Sequence, residues 1–367
     1  MADITTATKL ANMQIPEWWA NYTAQRSVEQ DQFFQSGVIS AVPNLASQLN
    51  GGGFLVNMPY FKPLADVDPQ IPNDDNDIQL NTIETGVSQA RLYGMDQGWS
   101  ATDLAAELAG ADPLTAMGNS VSDYWRHINE KILLGTLDGV YSSTSMKNKN
   151  QFDATADGQT DNTFSLSNFN NARFMLGDRY QDLAVVAVHS DILKQLQNAN
   201  IVDPKTGNVI MVNGNQLPTQ IQAPNPGDSI KGVRIVVDDS LPVKSGVYTS
   251  YLFSTGAFGW SEMPVSNAVA TGRDELRFHG VDYLVNRRRF ILAPAGMSWN
   301  ESAFQADAMK SNGNKPVAFP SMADMANGKY WTRVADEKLI PFVKFTTTDE
   351  AIKKATTPAT PNPEPAK

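Results

Sequence analysis

Residues 112–138 read DPLTAMGNSVSDYWRHINEKILLGTLD, and this stretch decides the fold more clearly than any other. Asp112 followed by Pro113 is typical of a helix start, because an aspartate caps the first free N–H groups and proline fits the first helical position. Apolar residues then recur at steps of three and four, at Leu114, Met117, Val121, Tyr124, Trp125, Ile128 and Ile132. This spacing predicts an amphipathic helix that ends before Gly139. About 26 helical residues would form a rod of about 39 Å.

The segment before this helix predicts a long hairpin. Three glycines at 51–53 predict a hinge, and residues 54–61 alternate loosely between apolar and polar side chains, as a strand does. Residues 63–77 are rich in proline and aspartate, and a second extended segment follows at 78–99. No basic residue lies between Pro63 and Ala90. Such a long excursion from a compact domain is usually functional or stabilised by a partner.

The segment after the helix predicts an α/β arrangement. Residues 166–175 are expected to form a helix capped by Ser165 or Ser167, and a buried strand at 183–188 is followed at once by a helix at 191–198. Further strands are predicted at 233–237, 247–253, 276–285, 289–292 and 339–345.

Composition excludes several classes of protein. The 367 residues carry a net charge of −10, which argues against a protein that coats nucleic acid, since phosphate binding needs a basic surface. The absence of cysteine excludes disulfide frameworks, thiolate zinc sites and thiol nucleophiles. Only 19% of the residues are charged, against about 25% in average globular domains, so we expect much of the surface to face protein.

The sequence contains no apolar run near the roughly 20 residues that cross a bilayer. Residues 1–9 lack the charged and then apolar layout of a secretion signal. We therefore expect a soluble protein, made in a bacterial cytosol, that does not insert into a membrane.

No motif requires catalysis. The sequence has no Gly-x-Ser-x-Gly, and His127, His189 and His279 lie in unrelated contexts. His127 and Glu130 are half of a metal site at best, and the acidic run at 74–77 lacks the glycine and distal glutamate of a calcium loop. We expect neither an enzyme nor a bound cofactor.

One basic run, Arg287-Arg288-Arg289, lies within a predicted strand. Alternation would place Arg287 and Arg289 on one face and Arg288 on the other. The preferred interpretation is a charged face that meets an acid-rich loop of another subunit. Phosphate binding and an ordinary solvated strand remain alternatives.

Two further groups are candidates for contact between subunits. Asp74, Asp75 and Asp77 form the acidic tip of the predicted hairpin and would be the partners of the basic run. Trp18 and Trp19 are adjacent, so they cannot both face one helical core, and they cover either a partner surface or the chain's own core.

The order of these elements resembles the major capsid proteins of tailed bacteriophages, which have the Hong Kong 97 fold. Four stretches carry the resemblance: Gly51–Phe61 in the first hairpin strand, Arg91-Leu92-Tyr93-Gly94 in its return, the helix at 112–138, and the block from Phe278 to Gly296. The resemblance covers about residues 30–345 and rests on the order of elements. It implies an α+β fold with an N-terminal arm, an extended hairpin loop, a long spine helix in a peripheral domain and an axial α/β domain.

The resemblance also implies a division of the chain into segments. These are an N-terminal arm at 1–50, an extended hairpin loop at 51–110, a peripheral domain at 111–185 with the spine helix at 112–138, an axial domain at 186–270, returning strands and a C-terminal segment at 271–345, and a disordered tail at 346–367.

The implied function is structural. Copies would assemble as pentamers and hexamers into an icosahedral shell around double-stranded DNA, without sequence-specific DNA binding, and the hairpin would lie over a neighbouring subunit. The chain starts almost directly at the arm, so a separate scaffolding protein, or an already processed chain, is implied. Portal and decoration proteins would be further partners, in a virion capsid assembled in the host cytoplasm.

Some members of the family join a hairpin lysine to an asparagine of another subunit. Lys62, the one lysine between 51 and 90, lies near the hairpin base, so we do not expect that cross-link here.

Three alternatives stay open at this point. An encapsulin-type shell shares the fold and encloses proteins. An α/β hydrolase could hide paired carboxylates among the many acids. An adhesion or tail-tube protein would form fibres or rings.

Overall fold

The computed structural model describes residues 33, 36–42, 45, 53–64, 67–71, 80–109, 113–156, 159, 161–198, 210–211, 219–220 and 233–349. Several predictions from sequence lie outside these residues. They are the helix cap at Asp112, the tail beyond residue 349, the acidic tip at Asp74, Asp75 and Asp77, and the pair Trp18 and Trp19.

The described part of the chain contains both helices and strands. The α-helices are α1 (Asp103–Ala109), α2 (Pro113–Ser142), α3 (Leu166–Arg173), α4 (Ser190–Asn198), α5 (Glu301–Ser311) and α6 (Met322–Met325). Short 3-10 helices cover Thr144–Met146, Phe174–Asp182, Gly328–Tyr330 and Glu337–Leu339. The strands are β1 (Ile39–Ala41), β2 (Leu55–Phe61), β3 (Thr85–Thr102), β4 (Gln151–Asp153), β5 (Leu183–Val188), β6 (Ile210–Met211), β7 (Thr219–Gln220), β8 (Arg234–Val237), β9 (Val243–Lys244), β10 (Val247–Ser254), β11 (Phe258–Met263), β12 (Val269–Asp274), β13 (Val281–Pro294), β14 (Met297–Trp299), β15 (Trp331–Arg333) and β16 (Phe342–Thr348).

Two six-stranded sheets form the framework. The first sheet has the order β1-β11-β13-β3-β2, and β12 also pairs with β13. The second sheet has the order β4-β16-β10-β5-β8, and β9 also pairs with β10. In the second sheet β5 and β8 run parallel, and α4 directly follows β5, which confirms the predicted α/β unit. The mixture of separate helices and largely antiparallel strands is an α+β architecture.

The second half of α2 packs against both sheets. Tyr141 stacks on Tyr251 of the second sheet with ring centroids 6.0 Å apart. Phe258 of the first sheet stacks on Phe342 of the second at 5.6 Å, within the same buried cluster. On the opposite face of the second sheet, Leu252 belongs to another cluster that α3 and α4 cover. Helix α2 therefore joins the two sheets into one core.

Helix α2 begins at Pro113 as predicted but ends at Ser142, so the prediction that Gly139 ends it is wrong. A Cβ atom at Gly139 would lie 2.1 Å from the Met325 carbonyl oxygen and 2.7 Å from Nε1 of Trp331. Glycine is required there because another segment crosses the helix closely, which costs some helix propensity but does not break the helix.

Other predictions are confirmed or shifted. Ser165 caps α3, since its side chain accepts a hydrogen bond from the Asn168 N–H. The strand predicted at 276–285 begins only at Val281, because Phe278, His279 and Gly280 have φ of 45°, 61° and 109°. From Val281 the strand β13 runs unbroken through the arginine run.

The last strand and the hairpin return are also shifted. The strand predicted at 339–345 lies at 342–348, because a 3-10 turn occupies 337–339. The extended segment predicted at 78–99 becomes a strand only from Thr85, and β3 continues to Thr102.

Each of the two sheets contains strands from several of the predicted segments. Strand β16, from the last segment, pairs with β4 and β10 in the second sheet. Strand β11, from the predicted axial segment, pairs with β1 and β13 in the first sheet. The domain boundaries themselves stay a prediction. Within the described residues, no helix combines the length and the apolar character needed to cross a membrane.

Candidate assembly surface

The predicted hairpin contains a pair of antiparallel strands, β2 and β3, and the name ribbon is used here for the described residues of the hairpin, 55–64, 67–71 and 80–91. Its strands pair from Leu55 opposite Arg91 to Phe61 opposite Thr85. From Leu92 onward the same strand β3 pairs with β13 instead. One continuous strand thus carries the ribbon out of the first sheet.

The base of the ribbon rests on the chain's own body. The hydroxyl of Tyr60 donates to the carbonyl oxygen of Val334 at 3.1 Å, and that of Ser88 donates to the carbonyl oxygen of Met297 at 3.1 Å. The Tyr60 ring covers Gly86 on the opposite strand, where a Cβ would lie 2.5 Å from the ring. An aromatic ring that covers a glycine in this way helps to fix strand register.

The rest of the ribbon exposes apolar side chains. Phe61 is 76% exposed, Ile71 87% and Leu80 89%. Leu64, Val67, Ile83 and Val87 are also exposed. Seven of the fifteen large apolar side chains that are exposed among the described residues therefore lie between positions 61 and 87. Such a concentration of exposed apolar side chains in one segment is typical of a surface that contacts another molecule.

Arg91 anchors the ribbon where it leaves the sheet. Its side chain is fully buried, and its Nε lies 3.3 Å from Oε2 of Glu301. Nη2 donates to the carbonyl oxygen of Ala318 at 2.7 Å. The guanidinium carbon lies 4.9 Å from the ring centroid of Phe54 and 5.8 Å from that of Phe304. Burial lowers the pKa of Arg91, and the Glu301 carboxylate opposes that shift.

Sequence reasoning missed the role of Arg91. The available signal was its position as the first basic residue after the stretch 63–90, which has none. A lone arginine at the end of an acid-rich segment indicates a structural contact. Its partner Glu301, however, is 210 positions away along the chain and could not be inferred.

The arginine run lies in the middle of β13, as predicted. Arg288 pairs with the carboxylate of Glu262, and its Nη1 donates to Oδ1 of Asn129 at 3.3 Å. Its guanidinium lies 5.2 Å from the ring centroid of Trp125, so Arg288 faces α2. This arginine is therefore fixed by contacts within its own chain.

The other two arginines differ from each other. Nη2 of Arg289 donates to Oδ2 of Asp96 at 3.3 Å, and its guanidinium lies 4.7 Å from the ring centroid of Phe319. Nη1 of Arg287 donates to the carbonyl oxygen of Asn267 at 3.0 Å, and Arg287 pairs with no carboxylate of the described residues. Arg287 thus keeps the most freedom to bind an incoming acid.

A second group of exposed apolar side chains lies at the turn between β12 and β13. Leu276 is 95% exposed and Phe278 is 39% exposed. Left-handed backbone at Phe278 and His279 is rare for residues other than glycine and carries strain. Arg273 holds the turn through ion pairs with the carboxylates of Asp103, Glu275 and Asp282.

The described residues contain no group of three or more histidine, aspartate or glutamate side chains placed to bind a metal ion. Their histidines also lie apart from the ribbon. His189, for example, follows β5 and lies 3.4 Å from Asp191 and 3.8 Å from Asp239.

No family model matches the chain. The major capsid protein of Bacillus phage SPP1 is 32% identical to it over 346 residues, which cover 92% of this chain and 97% of the relative. Among solved structures, the capsid asymmetric unit of cyanophage Pam1 has a TM-score of 0.53 at 13% identity, over 95% of this chain and 99% of that one. The capsid of Ralstonia phage GP4 has a TM-score of 0.53 at 9% identity, over 95% and 98%.

The sequence relative decides among the alternatives left open by composition and element order. It is a phage capsid protein and is matched along almost its whole length, so the capsid interpretation holds over an encapsulin-type shell and over an α/β hydrolase. The structural neighbours agree in fold. The chain belongs to the family of phage major capsid proteins, has the Hong Kong 97 fold, and serves as a structural subunit of a multimeric virion shell.

Proposed function

We propose that copies of this chain assemble as pentamers and hexamers into a closed icosahedral shell around double-stranded DNA, and that the ribbon of each copy lies on a neighbour. The observation that carries this proposal is the concentration of seven exposed apolar side chains on the ribbon. A two-stranded ribbon is marginally stable by itself in water and needs a surface to lie on. A neighbouring subunit provides that surface.

The energetics support a shell that is held together by many copies of the ribbon contact. Full burial of one large apolar side chain stabilises by about 1.5–3 kcal/mol, so seven such side chains offer at most about 10–20 kcal/mol. Association costs about 4–15 kcal/mol in lost freedom of motion. These two ranges overlap, so the arithmetic gives no definite surplus for one ribbon contact. A shell gains its strength because every subunit both gives and receives a ribbon.

The charge distribution supports the same arrangement. Six acids and no basic residue lie between positions 63 and 90: Asp66, Asp68, Asp74, Asp75, Asp77 and Glu84. A basic partner surface would complement such a segment, and Arg287, Arg288 and Arg289 are the candidates in the chain. Arg287 is the first of them, because Arg288 and Arg289 already pair with carboxylates of their own chain. Trp18 and Trp19 are proposed as a further contact, made by the N-terminal arm. The net charge of −10 suits a wall that encloses DNA without binding it tightly.

Family membership supports the remaining partners as proposals. These are a separate scaffolding protein, a portal protein and a decoration protein, with assembly in the host cytoplasm. The role proposed for the chain itself is structural, with no catalytic residue and no cofactor.

Shell assembly tests the proposed function. The wild-type chain, expressed alone and with candidate scaffolding proteins, should form capsomers or shells in electron micrographs. The double variant Leu80→Asp/Ile83→Asp should remain folded by circular dichroism but lose assembly, because charges would replace two exposed apolar contacts. Leu80→Val/Ile83→Val keeps the apolar character and should assemble. Wild-type protein that stays monomeric under all these conditions, or an aspartate variant that assembles normally, would contradict the proposal.

Neutralising the acidic tip should weaken assembly mildly. Exposed ion pairs contribute about 0–1 kcal/mol each, so the triple variant of Asp74, Asp75 and Asp77 to asparagine should lower the assembly yield or raise its sensitivity to salt. Particle yield across a salt series by sedimentation measures this. The triple variant of Asp178, Asp182 and Asp191 to asparagine changes the net charge by the same three units at exposed positions outside the ribbon, and it is the matched control. A triple variant with the wild-type salt dependence would remove the proposed electrostatic contact.

A further inference from the structure

The sequence contains four Asn-Gly pairs, and two of them lie in the described residues. They are Asn312-Gly313, directly after α5, and Asn327-Gly328, between α6 and the 3-10 helix that follows it. In such a pair the backbone nitrogen of the glycine can attack the side-chain amide of the asparagine, because glycine has no side chain in the way and leaves the backbone free to rotate. The described chain therefore holds two candidates for the same modification.

The attack requires a change of backbone conformation at either asparagine. The ψ angle is 32° at Asn312 and 114° at Asn327, and the following nitrogen reaches the side-chain carbon Cγ only after rotation about that bond. Both asparagines are exposed, and neither glycine N–H donates a hydrogen bond within the described residues. The rate at each pair therefore depends on how easily its turn opens.

The turn after α5 is held only by contacts at the surface. Residues 311–316 are all exposed. A Cβ at Gly313 would meet no other atom within 4 Å, so open space surrounds the backbone there. Nδ2 of Asn312 donates to the carbonyl oxygen of Lys315 at 3.2 Å, and the N–H of Asn314 donates back to the last turn of α5 at 2.8 Å. Hydrogen bonds at an exposed helix end open at low cost in free energy.

The turn after α6 is held by the core. Oδ1 of Asn327 accepts from the N–H of Lys329 at 3.1 Å, and its carbonyl oxygen accepts from the N–H of Tyr330 at 3.2 Å. Tyr330 is only 4% exposed. Gly328 packs so closely on the end of α2 that a Cβ there would lie 2.5 Å from the backbone nitrogen of Ser143. Rotation at Asn327 therefore has to displace a buried tyrosine and the backbone of another helix.

We propose that Asn312 of the folded chain deamidates spontaneously, whereas the fold protects Asn327. The backbone nitrogen of Gly313 attacks Cγ of Asn312, and the new C–N bond closes a succinimide ring. The bond from Cγ to Nδ2 breaks, and ammonia leaves with the proton that the Gly313 nitrogen has lost. Water then adds to either carbonyl carbon of the ring, the bond from that carbon to the ring nitrogen breaks, and the nitrogen regains a proton. The products are aspartate and isoaspartate, and no oxidant or reductant takes part.

Either product changes the end of α5. It adds one negative charge beside the C-terminal end of a helix, where the helix dipole is itself negative. A carboxylate cannot donate a hydrogen bond, so the contact of Asn312 with the carbonyl oxygen of Lys315 is lost. The inference concerns the folded subunit and does not depend on shell assembly, so its failure would leave the proposed function untouched.

Peptide mass spectrometry with fragmentation, applied to the full-length chain after incubation in mildly alkaline buffer, tests the inference. We expect Asn312 to gain the mass of an amide-to-acid conversion more than about tenfold faster than Asn327. In concentrated guanidinium chloride, which unfolds the chain, the two should be converted at similar rates. Equal rates in the folded chain, or the same excess at Asn312 in the unfolded chain, would overturn the inference. An unmodified Asn312 in folded protein, after the time that converts it in guanidinium chloride, would overturn it as well.

Two variants test the route. Wild-type protein should yield two product peptides of equal mass, one of which co-elutes with the corresponding peptide of Asn312→Asp, because the ring opens on either side. Asn312→Gln keeps the amide but would have to close a larger ring, so it should stay unconverted over the same period. A single product that matches Asn312→Asp would indicate direct hydrolysis, and a glutamine converted as fast as Asn312 would exclude attack by the Gly313 nitrogen. Either result would overturn the inference.

Discussion

Gly139→Ala is expected to destabilise the protein by about 3 kcal/mol, although alanine is the better helix former by about 1 kcal/mol. The added Cβ would lie 2.1 Å from the carbonyl oxygen of Met325, which no real contact allows. Nε1 of Trp331 donates to that same oxygen at 2.8 Å, so the methyl group would displace both partners of a buried hydrogen bond. Overpacking costs about 1–3 kcal/mol, and a buried polar group left unsatisfied costs a similar amount.

Gly135→Ala is the matched control, since it makes the same change one turn earlier on the same helix. A Cβ at Gly135 would come no closer than 3.9 Å to another atom, the carbonyl oxygen of Met322. Alanine there should be neutral or stabilising by about 0.5–1 kcal/mol. Urea unfolding followed by circular dichroism compares the two variants with wild type. Equal effects of the two substitutions would show that the close crossing at Gly139 contributes nothing.

This pair of glycines also shows what a single sequence can and cannot indicate about α2. Apolar spacing and the Pro113 start predict the helix correctly, because both are local properties of the chain. Gly139 was interpreted as a helix stop, but glycine also occurs where another segment approaches closely. The segment that approaches, near Met325, is 186 positions away, so the distinction depends on a contact that local spacing does not contain.

The same distinction between local and distant contacts explains the strands. The buried run at 183–188 is predicted to the residue, since a continuous apolar run of that length has few alternatives. The strand predicted at 276–285 starts late because Phe278 and His279 adopt left-handed backbone, which their residue types do not suggest. The ion pair of Arg273 with Asp103, 170 positions away in sequence, helps to hold that turn.

The same difference between local and distant contacts decides which features of the candidate assembly surface could be predicted. The glycines at 51–53, the loose alternation at 54–61 and the second extended segment predict a hairpin, and the pairing of β2 with β3 confirms it. Composition cannot reveal that Arg288 lies against Trp125 or that Arg289 pairs with Asp96, because these contacts join elements far apart in sequence. The partners of the arginine run were therefore not predictable, although the run itself was noticed.

Arg91→Met should be the most damaging change at the ribbon base, with an expected loss of about 3 kcal/mol in the free energy of unfolding. Removing one member of a buried ion pair costs about 3–5 kcal/mol, because the other charge is left without its partner. Glu301 is 20% exposed and also accepts from Nε1 of Trp299 at 3.0 Å, which places the effect at the lower end of that range. The carbonyl oxygen of Ala318 would lose its donor as well.

A double-mutant cycle with Glu301→Gln isolates the charge. Glutamine can still accept from Trp299, so Arg91→Met should cost less in the Glu301→Gln background than in wild type. Lys62→Met is the matched control just beyond the last strand pair of the ribbon, where the pair with Glu84 is exposed and its loss should leave stability unchanged. Urea unfolding of all the variants, with shell yield measured in parallel, supplies both readouts.

Because Arg91 lies where β3 passes from the ribbon to the sheet, stability and assembly should fall together in Arg91→Met. The guanidinium holds the strand against α5 and the Val317–Ala318 backbone, and this contact sets the direction in which the ribbon leaves the body. A ribbon that leaves at a variable angle reaches a neighbouring subunit less often, even when its own contact residues are unchanged. An Arg91→Met protein as stable as wild type, which still forms shells in wild-type yield, would show that the buried pair neither stabilises the fold nor directs the ribbon.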